Sequence, residues 1–62
     1  MLTVIARIIA ALGKLVWTKG PALVRRAIAY VNANKARVYN FFTRNGASIA
    51  RTIEFILRQI GG

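Results

Sequence analysis

The stretch Leu2–Trp17, Leu-Thr-Val-Ile-Ala-Arg-Ile-Ile-Ala-Ala-Leu-Gly-Lys-Leu-Val-Trp, narrows the folds open to this chain more than any other, because only Arg7 and Lys14 interrupt its apolar run. A secretory signal carries its positive charge ahead of the run and a small-residue cleavage site after it. Here Arg7 lies inside the run and Val16-Trp17-Thr18-Lys19 closes it. A membrane span needs about 20 apolar residues to cross roughly 30 Å of hydrocarbon, whereas this stretch as a helix reaches only about 24 Å. Thr3, Arg7, Lys14 and Thr18 recur at spacings of four, seven and four, which puts them on one narrow stripe of a helical period. The rest of the circumference is apolar, so the sequence predicts a helix over 2–17 that other helices cover.

The 62 residues contain no cysteine and no histidine. Disulfides and the softer metal ligands are therefore excluded, and a chain near the lower size limit for a single core must hold together by packing alone. Ten cations face one acid, Glu54, for a net charge of +9. Such a balance calls for a polyanionic partner, either nucleic acid or an anionic membrane. Hydrophobic residues make up 56% of the chain and the mean hydropathy is +0.47, which favours a surface that is anionic outside and hydrocarbon beneath.

Punctuation along the chain marks three further helices. Thr18-Lys19-Gly20-Pro21 is a break followed by a restart, since glycine is accepted at an N-cap and proline is preferred at the first helical position. A second helix over 21–31 turns Leu23, Val24, Ala27, Ile28 and Val31 inward and Arg25, Arg26, Ala29 and Asn32 outward. In Asn32-Ala33-Asn34, Asn32 can end that helix and Asn34 can cap the next; the alternative is one helix running through the junction. A third helix over 35–44 points Val38, Phe41 and Phe42 inward and Arg37, Asn40 and Arg44 outward. Asn45-Gly46 is the clearest stop, because both residues accept the left-handed conformation of a C-terminal cap. The fourth helix, 47–60, carries Ile49, Ile53, Ile56, Leu57 and Ile60 on one face and Arg51, Glu54 and Arg58 on the other. No stretch alternates with period two, so the expected fold is all-α, a compact four-helix globule without disulfides.

Enzymatic chemistry has little to work with. There is one carboxylate, Ser48 and the threonines have no base near them in sequence, and Lys19-Gly20 lacks the remaining glycines and hydroxyl of a phosphate loop. No cofactor, metal or small-molecule substrate is expected. The cations are the better signal. Each Lys or Arg near an anionic leaflet contributes about 1 kcal/mol, and Trp17 and Tyr30, placed near helix ends, suit the headgroup zone as interfacial anchors. The expected membrane-contact residues are Arg7, Lys14, Lys19, Arg25, Arg26, Lys35, Arg37, Arg44, Arg51 and Arg58, with Trp17 and Tyr30. A nucleic-acid-binding module is the alternative: the 21–31 and 35–44 helices could imitate a helix-turn-helix, with Arg25, Arg26 and Arg37 on phosphates. A small subunit of a membrane-associated complex is a third reading.

The later half of the chain resembles the leaderless bacteriocins of the aureocin and lacticin type. The similarity is carried by Tyr30 to Lys35, ending Ala33-Asn34-Lys35, by the aromatic-bearing Val38 to Phe42, by the Asn45-Gly46 break and by the amphipathic final helix ending Ile60-Gly61, with Lys19-Gly20 matching an earlier Lys/Gly break. The chain departs from that family in using arginine where the family leans on lysine, in having Trp17 as its one tryptophan, and in being longer near its start. The resemblance implies secretion without a signal peptide from an unprocessed Met1 and a cysteine-free, saposin-like fold of four helices. It further implies killing of related Gram-positive bacteria by permeabilising their anionic membrane lipids, with no dedicated protein receptor. A circular bacteriocin joining Met1 to Gly62 would present a similar globule.

Overall fold

The break inside Leu2–Trp17 sets the first part of the architecture. In the computed structural model, which describes residues 2–61, α1 runs Leu2–Lys14 and a one-turn helix α2 covers Val16–Lys19. Between them the Leu15 amide donates to Leu12, three residues back, at 2.9 Å. A single helix over 2–17 is therefore corrected to two. The helix yields just after Gly13, the weakest helix former of the segment. Met1 and Gly62, and with them the questions of chain start and circular closure, lie outside the described residues.

Gly20, at φ 89°, is the only non-helical residue between α2 and α3, so Thr18 and Lys19 belong to a helix and not to the break. Pro21 opens α3, Pro21–Ala33. Asn32 lies inside α3, and the junction to α4, Lys35–Arg44, is Asn34 alone, at φ −132° and ψ 40°. The region 21–44 is thus two helices. The Asn34 side-chain amide donates back to the Tyr30 carbonyl at 3.0 Å, and no side chain caps the start of α4. Asn34 is both the C-cap of α3 and, as expected, the N-cap of α4, where its carbonyl accepts from the Val38 amide at 3.0 Å; its side chain, however, serves the helix behind. Asn45 repeats the device on the Phe41 carbonyl at 2.8 Å.

Termination of α4 is completed by the Ala47 amide bonding the Phe42 carbonyl at 2.9 Å, a Schellman-type closure whose left-handed residue is Gly46 at φ 70°; Ala47 itself follows with a positive φ of 56°. Ser48 then caps α5, Ile49–Gln59, its hydroxyl accepting from the Arg51 amide at 3.2 Å. Among the described residues there is no strand, and the fold is the expected all-α globule of four longer helices with α2 as an added turn.

α1 packs against α3, α4 and α5, and α3 also contacts every other helix. The buried core is aliphatic: Ile5, Ile8 and Leu12 from α1, Val24, Ala27 and Val31 from α3, Val38 from α4 and Ile56 from α5. Only one face of α1 is buried, since Ala6, Ala10 and Gly13 are exposed along with Arg7 and Lys14. The expectation that only a narrow polar stripe would meet water is corrected. On α5 the buried pair is Thr52 and Ile56, with Ile49, Ile53, Leu57 and Ile60 half-buried beside them. Thr52 enters the core because its hydroxyl donates to the Ser48 carbonyl at 2.8 Å, leaving its methyl to pack. The radius of gyration is 10.4 Å, matching the ~10.6 Å expected of a folded domain of this length.

Two glycines make opposite predictions. Gly13 is helical and exposed with open space where a Cβ would stand, whereas Gly46 holds a left-handed turn. Gly13→Ala should stabilise the fold by roughly 0.5–1 kcal/mol, and Gly46→Ala should destabilise it by about 1 kcal/mol. Thermal unfolding followed by circular dichroism should show shifts of opposite sign, about 4–8 °C per kcal/mol.

Candidate functional site

All ten cations are exposed: Arg7 and Lys14 on α1, Lys19 on α2, Arg25 and Arg26 on α3, Lys35, Arg37 and Arg44 on α4, and Arg51 and Arg58 on α5. The apolar periodicity of each helix places them there, because the inward positions are taken by the aliphatic core and a charged head group stays in water. They are not equivalent. Arg26 donates its guanidinium to the Ile60 carbonyl at the end of α5, so it is partly committed to closing that helix.

Trp17 stands apart, 89% exposed on the short α2, a helix with no buried residue. It lies between Lys14 and Lys19 in sequence, at the corner where α1 gives way to α2. Tyr30 behaves otherwise. It is half-buried, its ring meets Phe55 edge-on with centroids 6.4 Å apart, and its hydroxyl is enclosed without a protein hydrogen-bond partner. The residue is partly exposed as expected, but its polar end is enclosed and not at the surface.

The closest gathering of predicted residues is on α4 and α5. Arg37, Phe41 and Arg44 recur in the spacing of Arg51, Phe55 and Arg58, an Arg-x3-Phe-x2-Arg pattern on two helices that pack together. Both helices thereby carry a phenyl group between two arginines, and the phenyls stack at 4.2 Å with planes 12° apart. Two grooves share Phe41, Asn45 and Phe55. The larger, about 610 Å³, adds Arg37, Asn40, Arg44 and Gln59. The smaller, about 220 Å³, adds Arg51, Glu54 and Arg58, so the carboxylate offsets charge on that side only. Arg7, Arg25, Lys35, Lys14 and Lys19 line neither groove.

Sequence reasoning assigned Phe41 to the core and gave Phe55 no role. The signal that finds both is the recurrence of the arginine–phenylalanine spacing, too short to register as a tandem repeat. The geometry bears on the nucleic-acid alternative as well. A helix-turn-helix has a turn of three or four residues, whereas Asn34 alone joins α3 to α4 and Arg26 is bonded to Ile60. Comparison with known protein families, curated proteins and solved structures gave no match.

Two measurements follow from the aromatics. Trp17 fluorescence in buffer should be quenched more by iodide than by caesium, since the indole is exposed on a protein of net charge +9, whose field gathers anions; equal quenching would contradict that setting. Tyr30→Phe removes an enclosed, unpartnered hydroxyl and should be neutral or stabilising by up to about 1 kcal/mol in denaturant unfolding.

Proposed function

We propose that the protein is a bacteriocin-type antimicrobial polypeptide that acts outside its producing cell, adsorbing to anionic bacterial membranes and permeabilising them. The observation that carries this reading is the make-up of the surface: every cation is exposed, and so, among the described residues, is one large hydrophobic side chain, Trp17, 89% accessible on a helix that buries nothing. Arginine and lysine attract the headgroups, and an indole inserts at the headgroup level. The family resemblance of residues 30–61 supports the same reading.

Magnitudes decide whether adsorption can open the fold. If half the cations engage an anionic leaflet, the attraction is about 5 kcal/mol. Burying Trp17 adds roughly 2–3 kcal/mol. A domain of this size is stable by about 3–9 kcal/mol. These are comparable, so the helices can part at the surface and turn Ile5, Ile8, Leu12 and Ile56 toward the acyl chains. The aromatic column of Tyr30, Phe55 and Phe41 is a suitable seam, because the Tyr30 hydroxyl has no partner to lose on opening.

Dye leakage from vesicles tests the proposal. Leakage should occur with anionic vesicles and not zwitterionic ones, fall steeply as salt shortens the Debye length from about 8 Å to about 3 Å, and coincide with loss of iodide access to Trp17. Trp17→Ala should leave folding stability within about 0.5 kcal/mol and weaken vesicle binding severalfold. Tight, salt-sensitive binding to duplex DNA with intact vesicles would replace this reading by the nucleic-acid one.

A further inference from the structure

Among the exposed cations, Arg37 and Arg44 stand in a concave setting that charge alone does not explain. We infer that the larger α4/α5 groove is a headgroup site for phospholipids whose phosphodiester ends in a neutral polyol, and that it selects them over headgroups bearing an ammonium group. The inference rests on the membrane reading above and adds a chemical preference to it.

Arg37 and Arg44 both line the groove and are seven residues apart on α4, so their side chains leave the backbone two turns, or about 10.5 Å, apart along the helix. Guanidinium binds a phosphodiester through paired N–H donors. The groove also contains three carboxamides, Asn40, Asn45 and Gln59, and no carboxylate. A carboxamide both donates and accepts, which matches hydroxyl groups. The Asn45 amide nitrogen already bonds Phe41, leaving its oxygen free to accept. An ammonium group finds no counter-charge in this lining and faces two guanidiniums. The stacked Phe41 and Phe55 rings give an apolar wall for the glycerol carbons and first methylenes of the lipid. The neighbouring groove differs by containing Glu54, which an ammonium can approach.

The test compares phosphatidylcholine vesicles containing equal mole fractions of phosphatidylglycerol or of phosphatidylserine, lipids of the same net charge, with binding read from Trp17 emission. The protein should bind the phosphatidylglycerol vesicles about fivefold more tightly, the equivalent of one net hydrogen bond. R37Q/R44Q should abolish that ratio. R7Q/R25Q removes equal charge from exposed positions outside both grooves, and should weaken binding to the two vesicles alike while preserving the ratio. All four arginines are exposed, so both variants should retain the helical circular dichroism of the parent protein. Equal binding to the two lipids by the unsubstituted protein, or the same loss of ratio in both variants, overturns the groove site and leaves the membrane reading standing. Binding to neither vesicle overturns both.

Discussion

The structure depends on one aliphatic seam. Ile5, Ile8 and Leu12, spaced three and four residues apart on α1, are the buried residues around which α3, α4 and α5 are arranged. Nothing covalent assists them, for the chain has no cysteine, and a net charge of +9 works against compaction by self-repulsion. The opposing terms act on different parts of each helix. Aliphatic side chains draw the inner faces together while arginines and lysines on the outer faces repel one another across water, where screening weakens them. Because all ten cations are exposed, compaction does not require any of them to be desolvated. The anionic surface proposed as the partner would alter that balance by engaging the outer faces directly.

Short helices with exact ends make the seam workable. Asn34 and Asn45 each turn a side-chain amide back to the carbonyl four residues earlier, closing α3 with one residue left before α4 begins and α4 with four left before α5. The left-handed pair Gly46 and Ala47 then reverses the chain so that α5 returns alongside α4. Left-handed geometry at Ala47 costs roughly 1–2 kcal/mol, which the α4–α5 packing must exceed. This reversal also brings the two Arg-x3-Phe-x2-Arg segments together. Site and turn are therefore linked: the phenyl stack and both grooves exist because the chain reverses at 46–47.

Much of this was legible in the sequence. The inward positions of α3, Val24, Ala27 and Val31, follow from helical periodicity, as do the exposed arginines, because an amphipathic helix has one arrangement that buries its aliphatic side chains. What periodicity cannot show is local competition for hydrogen bonds. Thr52 reads as polar, yet its hydroxyl is satisfied by its own helix and its methyl faces the core. Asn34 reads as a cap for the helix ahead and holds that position, yet its side chain bonds the helix behind. Leu15 reads as the middle of a helix that instead yields there. The aromatic cluster was hidden for a different reason: the meeting of Phe41 with Phe55 is a tertiary event set by the 46–47 reversal, and only the repeated spacing of flanking arginines hints at it.

The lengths of the helices constrain how membrane permeabilisation would proceed. No helix among the described residues is long and apolar enough to cross a bilayer. α1 has 13 residues and extends about 20 Å; even α1 and α2 straightened through Leu15 would reach only about 27 Å of the roughly 30 Å hydrocarbon core. That straightened helix would also carry Arg7 and Lys14 inward. Insertion parallel to the surface meets no such penalty, because an amphipathic helix lying in the interface buries its apolar face while its cations remain among headgroups. Under the proposed function, four such helices entering one leaflet would expand it relative to the other, so disruption would arise from area imbalance and thinning. The apolar stretch that resembles a membrane span is too short to act as one, and in the proposed mechanism it would contribute by spreading within the interface.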